Sequence, residues 1–289
     1  MSLLITGSSG FIGTNLILFF KKKKIKFFCI DKVKNRYIKD KNFFQLNLKN
    51  KSKLEKIFKK KKIKYIIHLA ALPGFVNCHK NPTKAFEDNI FATFNLIDLA
   101  KKYKVRKVLV ASSMGVDNFK INPSIYGMTK YFCEQLSHTY IETKNMNIAI
   151  CKISNVFGPY SAHKSSVVHS FIKKILSNKS LEIHKDGFQE RDFIYSNDVC
   201  RILYDNLKHN KKKVIQINTK KYLRIIDIKN LLDKISNKKN KLDFVPTPEG
   251  YDDKVYKKPI IKADKNFINK LKTTFNWYKD TRKKLGLFN

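Results

Sequence analysis

Leu3-Leu4-Ile5-Thr6-Gly7-Ser8-Ser9-Gly10-Phe11-Ile12-Gly13 decides the fold. Residues 3–6 form a short apolar run that reads as a buried strand, and residues 11–20 carry the apolar spacing of a helix. Three glycines occupy the junction. Gly7 permits a tight turn, Gly10 lets a phosphate approach the backbone, and Gly13 lets helix and strand pack closely. A pyrophosphate placed there meets free N–H groups at the positive end of a helix. The next strand, 25–30, ends at Asp31, where a carboxylate takes the hydroxyls of an adenosine ribose and repels a 2′-phosphate. The pattern therefore favours NAD over NADP, with Arg36 nearby as an opposing charge.

Outward from this stretch, apolar runs and helical patterns alternate. Strands are expected at 43–46, 65–69, 107–111 and 148–153. Helices are expected at 52–61, with Ser52 and Glu55 spaced as a capping box, and at 82–103 and 124–143. This alternation predicts an α/β fold with a doubly wound parallel sheet of the Rossmann type and helices on both faces. Right-handed crossovers then gather the loops that follow the strands on one ligand-binding rim. Residues 1–153 are assigned to this dinucleotide-binding domain.

From residue 154 the texture changes. Asn155-Val-Phe-Gly158-Pro159 is a turn, a helix follows near 166–177, and short strands follow at 181–183 and 191–195. A helix at 197–207 with Asp198 as its cap, a strand at 214–217, a helix at 225–236 and a strand at 242–245 come next. Two terminal helices are expected near 264–271 and 278–285. Residues 154–289 are thus mostly a smaller C-terminal cap, with strands near 191–218 completing the large sheet.

Composition narrows the class. No apolar run reaches 18 residues, which excludes a spanning helix, and a strand so near the start leaves no room for a cleaved signal peptide. A cytoplasmic protein without a membrane partner is expected. The five cysteines are scattered without a C-x-x-C pair, so they read as buried reduced thiols and no metal site is expected. Sixty Lys and Arg against 23 Asp and Glu give a net charge of +37. The lysines spread over nearly every expected surface face, so no specific nucleic-acid partner is expected, only adhesion to polyanions at low salt.

A second motif, Tyr126-Gly-Met-Thr-Lys130, puts a phenol and an ammonium at i and i+4 on one helix face, shortly after Ser112-Ser113. A phenol ionises at about 10 and is a poor base at neutral pH. A neighbouring ammonium and a cationic nicotinamide would favour the phenolate. Joined to the glycine loop, the pair suggests hydride-transfer chemistry.

The glycine loop, His68-Leu-Ala-Ala71, Ser112-Ser113, Tyr126-x-x-x-Lys130, Asn155-Val-Phe-Gly-Pro159 and Arg191-Asp-Phe-Ile-Tyr195 follow one another in the order seen in the NAD-dependent epimerase/dehydratase family. The chain resembles these extended short-chain dehydrogenases, in particular the UDP-glucose 4-epimerase-like enzymes, over nearly its whole length. The resemblance implies NAD as cofactor and a nucleotide-diphosphate sugar as substrate. It also implies a homodimer built on the helices at 82–103 and 124–143. By the same resemblance, Ser113, Tyr126 and Lys130 are catalytic. Gly7, Gly10, Phe11, Ile12, Gly13, Asp31, Asn47, Leu48, Leu69, Ala70 and Ala71 bind the cofactor together with Tyr126 and Lys130. Pro73, Ser113, Asn155, Arg191 and Lys254 bind the substrate. His68 reads as a core histidine and Asn89 as structural support. The implied reaction is 4-epimerisation through a transient 4-keto sugar.

The sequence also departs from the family pattern. Asn47 stands where an aspartate usually contacts adenine. Met114-Gly-Val-Asp-Asn replaces the usual Val-Tyr-Gly, and only 13 residues separate Ser113 from Tyr126, so the sugar is left open. The second phosphate-binding arginine has no counterpart, and Lys254, Lys257 or Lys258 would take its place as a point charge. The Thr-Asp-Glu set of a 4,6-dehydratase is absent. The alternatives are an NADP-dependent keto-sugar reductase resembling GDP-fucose synthase, a nucleotide-sugar dehydratase, and a non-catalytic redox-sensing scaffold.

Overall fold

The computed structural model describes residues 2–118, 123–209, 213–247 and 263–282. The chain divides into two units, Met1–Ser154 with Asn197–Ile217, and Asn155–Ser196 with Asn218–Asn289.

The first unit opens with β1 (Leu3–Thr6), all four residues of which are buried, as a central parallel strand covered on both faces requires. α1 (Phe11–Lys22) buries Phe11, Leu16, Ile17 and Phe20 along one stripe. β2 (Phe27–Asp31), β3 (Phe43–Gln45) and α2 (Lys51–Lys61) follow. Asn50 caps α2 by accepting from Lys53 N at 2.9 Å, so Ser52, expected as the cap, lies two residues further on, inside the first turn. Next come β4 (Tyr65–His68), α3 (Phe75–Lys80), α4 (Pro82–Ala85), a π-helical segment Phe86–Phe91 and α5 (Ala92–Lys102). The expected continuous helix at 82–103 is therefore broken by a π segment, and α3 was not anticipated. β5 (Lys107–Ser113) runs into a 3₁₀ turn at Met114–Asn118. α6 (Ile125–Lys144) is capped by Ser124, which accepts from Gly127 N at 3.0 Å, and β6 (Ile148–Ile153) follows.

The strands form one seven-stranded parallel sheet. Its order is β10-β6-β5-β4-β1-β2-β3, where β10 is the late strand Val214–Ile217. Leu3 pairs with Phe27 on one side and Tyr65 on the other, so the strand order reverses at β1 and β4. That reversal is where an open α/β sheet leaves a crevice beyond its strand ends. Leu4, Ile30, Leu54, Phe58, Ile66, Leu96, Val108 and Ile148 belong to one buried cluster between sheet and helices.

The second unit contains β7 (Asn155–Phe157), α7 (Val167–Leu176), β8 (Leu181–His184) and β9 (Glu190–Tyr195). The chain returns to the first unit through α8 (Ser196–His209) and β10. It then adds β11 (Tyr222–Arg224), α9 (Ile225–Ser236), β12 (Leu242–Val245) and α10 (Lys265–Thr281). β9 lies between β7 and β11 in a three-stranded sheet, and β8 pairs in parallel with β12. Of the strands expected near 191–218 to complete the large sheet, only β10 does so. Asp192 explains the difference: its buried carboxylate accepts from Thr219 N at 3.0 Å and from Thr219 Oγ1 at 2.9 Å, tying β9 to the segment before β11. Two further expectations change. Asp198 lies inside the first turn of α8, which starts at Ser196. α10 is one helix where two were expected, and residues 283–289 fall outside the described part. No described helix is long and apolar enough to cross a membrane.

Candidate active site

The glycine loop closes on itself through Gly10 N to Gly7 O at 3.2 Å and Thr14 N to Gly10 O at 2.8 Å. Gly7 has φ +70°, and a Cβ there would lie 2.5 Å from Ala70 N. A Cβ on Gly13 would lie 2.3 Å from Gly7 O, so helix and loop touch backbone to backbone. At Gly10 the only neighbour of such an atom among the described residues is Gly7 O, at 3.3 Å. The loop is thus packed shut at two glycines and accessible at the third.

Asp31, the last residue of β2, accepts from Ser9 N at 2.9 Å and Val33 N at 3.2 Å. Burial raises its carboxyl above the usual range, and these N–H bonds work against the rise. Asn47 Oδ1 accepts from Lys49 N at 3.0 Å, so the acceptor expected to serve adenine also turns the chain. Leu48 is buried beside it, and Leu69 N donates to Thr6 O at 3.0 Å. Open backbone at Gly10, an anchored carboxylate at Asp31 and the half-buried Ile12, Ala70 and Ala71 fit the pyrophosphate and ribose of NAD.

The second motif lies at the end of β5 and the start of α6. The Ser113 side chain lies near enough to the Tyr126 hydroxyl to favour its ionised form, and Ser113 Oγ accepts from Gly115 N at 3.1 Å. Burial pushes the phenol up to about 12; Ser113 lowers it, and the thiols Cys78 and Cys133 raise it. Lys130 is buried and donates from Nζ to Ala111 O at 2.9 Å, and burial lowers its pKa. Its hydrogen bond directs it to the strand backbone.

Beneath the pair runs a buried polar chain. Thr6 Oγ1 meets His68 Nδ1 at 2.7 Å, and His68 Nε2 meets Thr93 Oγ1 at 2.9 Å. Thr93 Oγ1 donates its own hydrogen to Asn89 O at 2.5 Å. The network therefore assigns the proton to Nε2, with Nδ1 accepting from Thr6. Burial lowers His68 to about 3, so the ring is neutral. Asn89, in the π segment, accepts from Leu72 N at 2.6 Å and donates to Thr129 Oγ1 at 2.9 Å. A side chain expected to be structural support thereby links the loop after β4 to the residue preceding Lys130.

A charged network flanks the same strand end. Ser112 Oγ donates to the buried Glu134 at 2.5 Å, and Lys152 on β6 lies 3.3 Å from Glu134. Lys152 also pairs with Asp117 in the 3₁₀ turn. The short segment after Ser113 is thus held to the sheet by an ion pair that the sequence did not announce.

Among the expected substrate residues, Pro73 O accepts from Asn77 Nδ2 at 3.1 Å ahead of α3. Asn155 and Arg191 belong to the second unit. Asn155 Nδ2 donates to Asp192 O at 3.1 Å, and Arg191 Nη1 donates to Glu190 O at 2.9 Å. Lys254, with Lys257 and Lys258, lies outside the described residues. Sequence reasoning missed Phe75, whose ring meets that of Tyr126 edge to face. The Gly74-Phe75 step just after the His68-Leu-Ala-Ala71 segment was its only signal.

This arrangement defines a class. The profile of the NAD-dependent epimerase/dehydratase family matches residues 3–218, and the chain belongs to that family. It is 29% identical to a UDP-glucuronate 4-epimerase of Thermodesulfobacterium geofontis, with 96% of each chain covered. UDP-glucose 4-epimerase of Thermotoga maritima, solved with UDP-glucose, has the same fold, with a TM-score of 0.86 at 22% identity over 97% of this chain and 99% of that one. UDP-glucuronic acid 4-epimerase of Bacillus cereus, solved with UDP-glucuronic acid and NAD, gives a TM-score of 0.82 at 26% identity over 97% and 99%.

Proposed function

We propose that the protein is a nucleotide-sugar epimerase that inverts C4 of a UDP-hexose, with NAD retained through the cycle. The approach of Ser113 to the Tyr126 hydroxyl at the end of β5 carries this reading. Bound NAD supplies a hydride acceptor and donor at the sugar carbon, and a positive ring that opposes the effect of burial on the phenol. Tyr126 takes the proton from the C4 hydroxyl and returns it after the ketone has turned over. Ser113 holds the sugar oxygen and the phenol in one hydrogen-bonded set. Lys130 fixes the turn of α6 that carries Tyr126 and holds the nicotinamide ribose. Asn155 and Arg191, with Lys254, hold the diphosphate, Arg191 through its fork of donors. Remote binding of this kind retains a keto intermediate while it rotates. Neither a carboxylate nor a second acid occurs at Ser113, Met114 or Gly115, which favours epimerisation over elimination of water.

The test is a panel of UDP-hexoses and UDP-hexuronates given to purified protein without added cofactor. Mass spectrometry of the denatured protein identifies the bound dinucleotide. Interconversion of C4 epimers with NAD released only on denaturation supports the reading. Net consumption of NADPH overturns it in favour of a keto-sugar reductase.

The second partner is another copy of the chain. Phe86, Phe91 and Phe94, on the π segment and α5, and Phe132, on α6, are exposed aromatic side chains on the two helical stretches that the family resemblance assigns to a dimer. Light scattering at micromolar concentration should give a dimer mass, and a monomer mass refutes this part. The five buried thiols, none in a disulfide, suit a cytoplasmic protein.

A further inference from the structure

α3 brings an aromatic side chain to the reacting end of β5. The rings of Phe75 and Tyr126 meet edge to face, with centroids 5.2 Å apart and planes at 71°. The tip of the same phenyl ring reaches the turn after β5. A Cβ at Gly115 would lie 3.2 Å from Phe75 Cζ and 3.4 Å from Ser113 Oγ. Gly115 N donates to that oxygen at 3.1 Å, and the Tyr126 hydroxyl lies near the same side chain. One phenyl ring therefore abuts both the phenol and the turn whose N–H holds Ser113.

From this geometry we propose that Phe75 is a positioning residue: it holds the Tyr126 phenol in register with Ser113 Oγ and sets the room left beside it at residue 115. The proposal rests on the reading of Tyr126 as the proton-transferring group. An edge-to-face pair has a preferred orientation, so the contact restricts a half-buried ring that would otherwise turn. It also keeps water from one side of the phenol. The ionisable groups around that phenol are Cys78 from α3, and Cys133 and Lys130 from its own helix. Both thiols are buried, and burial raises their pKa values, so they stay neutral. Exchanging Phe75 thus changes packing and hydration at Tyr126 without removing a charge. The same contact accounts for glycine at 115, because a side chain there would have to displace the Phe75 tip or the Ser113 hydroxyl.

The experiment uses the full chain loaded with NAD, with fluorotyrosine incorporated at position 126 and followed by fluorine NMR. UDP-glucose and UDP-glucuronic acid serve as turnover probes. Phe75→Ala should broaden or split the fluorine signal and lower its titration midpoint by about one pH unit as water reaches the ring. Phe75→Leu, which keeps an apolar cover, should retain most of the parent midpoint. In turnover, Phe75→Ala should lower kcat roughly tenfold while KM stays within about threefold, because orientation and not binding is lost. Gly115→Ala should impair kcat, and adding Phe75→Leu to it should restore activity. A fluorine signal and midpoint in Phe75→Ala equal to the parent overturn the proposal. If Phe75→Ala does not fold, full parental activity in Gly115→Ala overturns it instead. Undiminished turnover in Tyr126→Phe would refute the reading of Tyr126 itself, and the fluorine arm would still decide whether Phe75 orders that ring.

Discussion

Lys130 Nζ and Ala111 O lie 2.9 Å apart, so a buried ammonium on α6 is anchored to the backbone of β5 two residues before Ser113. Lys130→Met removes this buried, charge-assisted hydrogen bond, at a cost of about 1–3 kcal/mol. Turnover should fall by roughly 10²-fold or more as Tyr126 loses its register. Urea unfolding and steady-state rates on the same preparation check both effects. A fully active Lys130→Met would remove Lys130 from the site.

His68 predicts a dependence of stability on pH. Its folded pKa is lowered from 6.5 to about 3, chiefly by burial. Below 6.5 the unfolded chain gains a proton that the folded chain does not, so stability is present above 6.5 and is lost as pH falls toward 3. The full loss is on the order of 5 kcal/mol at most. His169, also held neutral by burial, adds a slope of the same sign. His68→Gln should be less stable at neutral pH and show a shallower decline between pH 6.5 and 3, read by denaturant titration at stepped pH.

Glu134 and Lys152 should behave as a coupled pair, the carboxylate buried and the ammonium half-buried. Lys152→Met leaves the buried Glu134 carboxylate with the Ser112 hydroxyl as its partner and should cost about 1–3 kcal/mol. Adding Glu134→Gln removes the stranded charge and should recover part of that loss. A double-mutant cycle of unfolding free energies measures the coupling, and strict additivity would refute it.

The three glycines of the loop should separate folding from cofactor binding. Gly13→Ala places a methyl group 2.3 Å from Gly7 O, so the loop must shift and stability should fall by about 2 kcal/mol or more. Gly10→Ala meets Gly7 O at 3.3 Å, a tight contact that a shift of a few tenths of an ångström relieves, so it should cost less stability than Gly13→Ala. It should instead lose bound NAD, because the methyl group fills the open side of the loop. Melting curves together with quantification of released dinucleotide distinguish the two.

The strand–glycine–helix opening was legible because three constraints coincide in eleven residues: an apolar run, a positive φ at Gly7 and a contact at Gly13 that excludes any Cβ. Tyr126 and Lys130 were legible from their spacing, but the hydrogen bond from Lys130 to the carbonyl of Ala111 was not, since that carbonyl belongs to a strand remote from the motif. The π segment escaped because one extra residue in a helical turn leaves the surrounding apolar spacing nearly intact. α3 escaped because six residues are too few to show a period. The membership of β9 escaped for another reason. Its apolar pattern suits either sheet, and the choice is made by Asp192 gripping Thr219, residues far apart in the sequence.

The route of the chain through β6 and β10 has a consequence for synthesis. β10 pairs with β6 from Val214↔Ile150 to Ile217↔Ile153, yet the residues between them include the first part of the second unit. During translation the dinucleotide-binding half emerges first and ends in a naked β6, an open row of backbone donors and acceptors that invites pairing with another nascent chain. That edge is covered only once residue 217 has left the ribosome. Polysomes crowded with this message, or a chain cut short after β6, are where self-association would begin, and a lysine-rich surface that repels its own kind is a natural safeguard there.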